Sequence, residues 1–143
     1  MVDAMLPRMT PYQLRERIVA WVVEVGHLAS PLFRTNETSH RASQLKRAAD
    51  SVAGNYRAAC MARSHREFLA KISIALEEAD EAVGWLELSH LEGIIRGDAV
   101  ARALDEGRQL TRILAKSRET AQDREGLSRR GQKRPLPASG NDQ

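Results

Sequence analysis

The chain has 143 residues, enough for one domain, and its 42% hydrophobic content can bury a core without disulfides or a metal. Aromatic residues make up only 4%, so the core has to be built from Leu, Ile, Val and Ala, which suits close-packed helices better than a β-sandwich. The net charge of +3 is a mild bias, the single cysteine Cys60 excludes an intramolecular disulfide, and no apolar run approaches the roughly 20 residues needed to span a bilayer. A cytoplasmic protein with no membrane partner is the expectation, since the chain also lacks a charged start followed by a short apolar segment.

Residues 1–10 carry Pro7 and little periodicity, and read as a flexible lead-in. Pro11 suits the first position of a helix, with Thr10 as its N-cap. The first helix then runs to about Ser30, with Leu14, Ile18, Trp21, Val22, Val25 and Leu28 at three- and four-residue spacing. Pro31 ends or bends it, and the polar stretch from Arg34 to Ser39 reads as a connection.

A second helix is expected from His40 to Ala62, with Leu45, Ala49, Val52, Tyr56 and Ala59 on one stripe. Ser64 and Glu67 have the spacing of a capping box, so a third helix starts there, with Phe68, Ile72, Leu76, Ala79, Val83 and Leu86 inward. Gly93 and Gly97 bracket a turn, and Asp98 is a natural N-cap for a fourth helix. That helix carries Val100, Leu104, Leu110 and Leu114 inward and is expected to end near Ala121. Residues 122–143, broken by Gly126, Gly131, Pro135, Pro137 and Gly140, read as a disordered basic tail. The expected architecture is all-α, an antiparallel up-and-down four-helix bundle over residues 11–121.

Placing residues at about 100° per position leaves apolar groups that the core does not use. On the third helix Ile74, Trp85 and Leu88 form a second line, and on the first helix the apolar arc widens through Tyr12, Val19 and Val23. On the second helix Ser51, Gly54 and Ala58 are small enough to let another helix approach. Self-association is the economical reading of these residues, which make up the expected oligomer interface.

The chemistry-bearing residues do not converge. Glu24 with His27 and Glu87 with His90 have a spacing used in di-metal bundles, but Glu24 and His27 fall off the inward stripe and the second helix offers only Asp50 mid-helix, also outward. His40 and His65 lie near helix starts without a partner at ligand spacing, and Cys60 has no acid–base neighbour. Glu77, Glu78, Asp80 and Glu81 read as an acidic face, pairing with Lys46, Arg47 and Arg57 across a subunit contact. No catalytic residue, cofactor or metal is expected. Nucleic-acid binding is the sharper functional reading, carried by Lys46, Arg47 and Arg57 and by Arg129, Arg130, Lys133 and Arg134 in the tail.

From Gln44 to Glu81 the chain resembles a bacterial four-helix-bundle family whose first members were encoded in intervening sequences of large-subunit ribosomal RNA genes. The residues that carry the resemblance are Gln44 to Ala49, Ser51, Val52, Asn55, Ser64, Glu67, Phe68, Ile74, Ala75 and Glu81, with weaker similarity in apolar spacing from about Tyr12 to Thr120. The resemblance implies a homopentameric barrel of four-helix protomers without a known enzyme activity. It also implies kinship with the accessory proteins of diversity-generating retroelements, which are basic pentamers that bind nucleic acid and a reverse transcriptase. Where the family has Asn-Ile-Ala-Glu-Gly, this chain reads Asn55-Tyr56-Arg57-Ala58-Ala59, so any role of that glutamate and glycine does not carry over. Two roles from different classes follow: a nucleic-acid-associated accessory protein, or a scaffold that binds only itself or a protein partner.

Overall fold

The computed structural model describes residues 8–132, which form four helices and one short 3₁₀ turn: α1 (Pro11–Ala29), the turn Ser30–Arg34, α2 (Asn36–Cys60), α3 (His65–Leu91) and α4 (Asp98–Gln132). Neighbours around the bundle are α1 with α2, α2 with α3, α3 with α4 and α4 with α1, while the Cα atoms of the diagonal pairs stay more than 8 Å apart among the described residues. This is the all-α antiparallel four-helix bundle expected from the apolar periodicity. No helix among the described residues is long and apolar enough to cross a membrane.

Each helix start has an identifiable cause. Thr10 and Gln13 form a reciprocal capping box, the Gln13 N–H donating to Thr10 Oγ1 at 3.1 Å and the Thr10 N–H to Gln13 Oε1 at 2.9 Å. At α3 the Glu67 N–H donates to Ser64 Oγ at 3.1 Å, but the Glu67 carboxylate accepts from the Arg63 N–H at 3.0 Å, one residue earlier than a reciprocal box requires. The α2 start differs more from expectation, at Asn36 rather than His40. There Thr38 Oγ1 donates to Leu32 O at 2.6 Å and Leu32 is buried beneath the turn. Residues 36–39 have no apolar periodicity because their helical turn lies on the surface, with Glu37 favourable near the positive end of the helix.

The turn from α3 to α4 depends on two left-handed glycines, Gly93 at φ 71° and Gly97 at φ 98°. Ser89 O accepts the N–H groups of Ile94 and Ile95 at 2.9 and 3.2 Å, while Ser89 Oγ donates to Trp85 O at 2.8 Å, so this buried serine has its polar groups satisfied. Ile95 is buried and closes that end of the core.

The core stripes expected on α1, α2 and α4 are buried, apart from Val22 and Leu28, which pack against the core half-exposed, as do Phe68 and Leu76 of α3. α2 and α3 face each other through Ala42, Ala48, Ala49 and Ala59 on one side and Ala75, Ala79 and Ala82 on the other, all buried, and small residues let these backbones approach closely. Trp21 is the largest fully buried side chain, and its indole N–H donates to Ala103 O at 2.9 Å. It fits because position 107 is glycine: a Cβ there would lie 2.8 Å from Val83 Cγ2 and 2.9 Å from Trp21 Cζ2. Beside it Arg17 of α1 binds the Glu106 carboxylate through two nitrogens and donates to Gln109 Oε1 at 2.8 Å, tying α1 to α4.

The expected end of the fourth helix near Ala121 is corrected. α4 continues through Gln122 to Gln132, about 52 Å in all at 1.5 Å per residue. Its 35 residues exceed the 27 of α3, so the last turns extend past the other helices, with Leu127 68% exposed. The extension has no core to bury, hence no apolar stripe to announce it, but Arg129 Nη2 lies 2.6 Å from Glu125 Oε1 at i,i+4 spacing, and an isolated interior glycine such as Gly126 costs only about 1 kcal/mol. The segment from residue 133 onward, like the start of the lead-in, lies outside the described residues.

Candidate assembly and nucleic-acid surfaces

The residues expected at an oligomer interface fall on two sides of the protomer. Tyr12, Val19 and Val23 lie along the outer face of α1 at 66%, 46% and 52% exposure, and Ile74 and Leu88 lie on α3 at 37% and 45%. Because α1 and α3 are diagonal in the bundle, these apolar faces point away from each other. On α2, Gly54 is exposed with no atom within 4 Å of where a Cβ would stand, while Ser51 and Ala58 are half-buried and Ser51 accepts from Asn55 Nδ2.

Trp85 has partners within its own chain, where the sequence pointed outward. It is half-buried, with His40 edge-on at 6.1 Å, the Arg41 guanidinium 5.8 Å from its ring centroid and its N–H donating to Glu81 Oε1 at 3.3 Å. Arg41 in turn pairs with Glu92 at 2.6 Å. Exposed apolar groups that the periodicity did not single out are Met9, Phe33, Met61, Leu91 and Leu127.

The basic residues of α2 are mostly engaged. Lys46 pairs with Asp50 at 2.8 Å. Arg47 reaches Glu81 Oε1 at 2.6 Å and Glu78 Oε2 at 3.3 Å on α3. The expected pairing of an acidic α3 face with basic α2 is therefore made inside one protomer at Arg47, not across a subunit contact. The bond to Glu81 and the nearby Glu78 charge hold the Arg47 guanidinium above its ordinary range, and Arg47, with the Trp85 N–H, holds the Glu81 carboxyl below the usual carboxylate range. Arg57 forms no ion pair among the described residues.

A second group of cations is gathered by the topology alone. The start of α1, the end of α2, the start of α3 and the far half of α4 meet at one end of the bundle, where His65 Nε2 lies 2.7 Å from Ala121 O. Arg8, Arg57, Arg63, Arg66, Lys116, Arg124, Arg129 and Arg130 all belong to these segments. Lys116 and Arg129 are paired along their own helix with Glu119 and Glu125, whereas Arg8, Arg66, Arg124 and Arg130 form no ion pair among the described residues. Lys133 and Arg134 lie outside the described residues.

Of the two Glu–His spacings, Glu87 and His90 have local partners. Glu87 lies 3.5 Å from Arg108, His90 Nδ1 lies 3.2 Å from Ile95 O, and Glu24 and His27 sit half-buried and exposed on α1. Among the described residues no three His, Cys, Asp or Glu side chains gather as metal ligands would. Tyr56 is buried, its hydroxyl donating to Pro11 O at 3.4 Å, and burial followed by the neighbouring Cys60 pushes its phenol well above the ordinary range.

Comparison with known proteins places this geometry. A solved structure from Bacteroides thetaiotaomicron, described as a protein of unknown function from the S23 ribosomal protein family, superposes with a TM-score of 0.70 at 23% identity, over 76% of this chain and 97% of that one. At that identity the likeness concerns the fold. No curated protein matches the chain. The family model described as 23S rRNA-intervening sequence protein matches residues 12–116, nearly the whole bundle. The chain belongs to the 23S rRNA-intervening sequence protein family.

Proposed function

We propose that the protein is a non-catalytic, self-assembling bundle, a homopentamer by its family resemblance, whose basic ends together hold RNA or DNA without reading sequence. The observation that carries the assembly is the exposed stripe of Tyr12, Val19 and Val23 on α1, set diagonally from Ile74 and Leu88 on α3. Apolar faces on different sides of a protomer suit head-to-tail contacts, which close into rings when the rotation allows. What supports nucleic-acid binding is the collection of cations at one end of the bundle, continued by α4 into Arg129 and Arg130. Repeating that end around an axis makes several weak phosphate contacts act as one multivalent surface. Lys46 and Arg47, already held by carboxylates, contribute less than Arg57, Arg66, Arg124 and Arg130.

The competing reading is a cytoplasmic scaffold that binds only itself or a protein partner, and the ion-paired state of Lys46 and Arg47 favours it. Fluorescence anisotropy with a short mixed-sequence RNA and its DNA counterpart, across a salt series, separates the two. Phosphate binding weakens steeply with salt, and Arg129→Ala with Arg130→Ala lowers the slope by about one unit per lost contact. Salt-independent binding, or none at low salt, leaves the scaffold.

A further inference from the structure

At the basic end of the bundle two adjoining clefts form one groove. The inner cleft, about 440 Å³, has a floor of Leu14, Tyr56, Ala59, Phe68 and Ile113 and is bordered by Cys60. The outer cleft, about 750 Å³, shares Met9, Phe68, Ile113 and Ser117 with it and opens between Arg8, His65, Lys116 and Arg124. Both volumes fall within the range of about 300–1,000 Å³ usual for small-molecule sites. The polarity is graded: no charged side chain lines the inner cleft, and no carboxylate lines either one.

The polar groups of the inner cleft are already engaged. The Ser117 hydroxyl donates to Ile113 O at 3.0 Å, the Tyr56 hydroxyl is directed to Pro11 O, and Thr10 Oγ1 accepts the Gln13 N–H. A nucleobase buried there would leave its own donors and acceptors unmatched, whereas a hydrocarbon loses nothing. At the mouth Arg8 and Arg124 have no ion-pair partner among the described residues, and Lys116 has only Glu119 at 3.4 Å on the exposed side of its helix.

We propose that this groove binds a single-chain amphiphilic anion, an alkyl carboxylate or a molecule of that chemistry, with its hydrocarbon on Phe68, Ile113 and Tyr56 and its charge between Arg8, Lys116 and Arg124. The site shares Arg124 with the cations invoked for nucleic acid, but its carboxylate-free, apolar floor is argued from the cleft itself and does not depend on that reading.

Cys60 is the only cysteine in the sequence and borders the inner cleft, so its alkylation by the small neutral reagent iodoacetamide reports occupancy in the full-length protein. Octanoate slows the reaction several-fold, 1-octanol slows it less, and octylammonium leaves it unchanged. From hexanoate to octanoate each added methylene strengthens protection by up to about fourfold while the floor has room. Lys116→Glu with Arg124→Glu, both on the surface, removes the preference for octanoate and gives octylammonium the advantage. Equal protection by octanoate and octylammonium, or none by any of the three, overturns the proposal. So does protection that appears only after residues 1–7 are removed, which would assign the groove to the chain's own N-terminal segment, or protection by an oligonucleotide alone, which would assign it to phosphate.

Discussion

Replacing Gly107 with alanine tests the central packing of the bundle. In a helix interior the change is favourable by about 0.8–1.0 kcal/mol, because alanine has the better propensity. Here the new methyl would stand 2.8 Å from Val83 Cγ2 and 2.9 Å from Trp21 Cζ2, closer than carbon atoms pack. Trp21 is 1% exposed and fastened to Ala103 O at 2.9 Å, so it cannot swing aside without weakening that bond, which contributes about 1 kcal/mol. Overpacking of this kind costs typically about 1–3 kcal/mol. With the hydrogen bond weakened and the propensity gain offset, the expected net loss is about 1–2 kcal/mol, roughly 3–8 °C in Tm for a chain of this size. Gly84→Ala on α3 is the control, since no atom lies within 4 Å of its Cβ position, and it gains about 0.8–1.0 kcal/mol. Thermal unfolding followed by circular dichroism, at equal protomer concentration because assembly shifts Tm, reads both variants. If Gly107→Ala melts as high as Gly84→Ala, the close approach of α1, α3 and α4 at this glycine is refuted.

Ser64→Ala removes the N-cap of α3 and is expected to lower stability by about 1 kcal/mol in urea unfolding, with α3 otherwise intact. Val19→Glu with Val23→Glu, both on the outer face of α1, is expected to reduce the assembly to protomers in sedimentation velocity while helical circular dichroism stays unchanged. Lys46→Ala with Arg47→Ala is expected to change nucleic-acid affinity less than Arg129→Ala with Arg130→Ala; the reverse order in anisotropy titrations would place the phosphate surface on α2. The Glu81 carboxyl is held below its ordinary range in the folded protein, so its contribution is present above the unfolded-state pKa and lost as pH falls through the lower folded value. Denaturant titrations should therefore show the wild-type chain losing more stability on acidification through that window than Glu81→Gln loses.

Much of the bundle was legible because its signals are local. Leu14, Ile18, Trp21 and Val25 repeat at helical spacing, Ser64 and Glu67 mark a helix start, and Gly93 and Gly97 stand where the chain needs a left-handed backbone. Segments without a buried face gave no such signal, so the first turn of α2 and the stretch of α4 beyond Ala121 were not readable. The candidate surfaces were legible only as helical faces. That Arg47 meets Glu78 and Glu81 within one protomer depends on the register between α2 and α3, and that Trp85 meets Arg41 and His40 depends on the same register. The groove at the basic end depends on four segments converging, with Arg8 separated from Arg124 by nearly the whole sequence, and no spacing rule brings such residues together.

Self-assembly is the claim on which the multivalent reading rests, and light scattering coupled to size-exclusion chromatography of the full-length chain tests it most directly. The account predicts a stable particle several times the 15.9 kDa protomer mass, a pentamer by resemblance, which co-elutes with a mixed-sequence oligonucleotide at low salt and releases it at high salt. A single species at 15.9 kDa across the concentration range would contradict the assembly and the multivalent binding built on it.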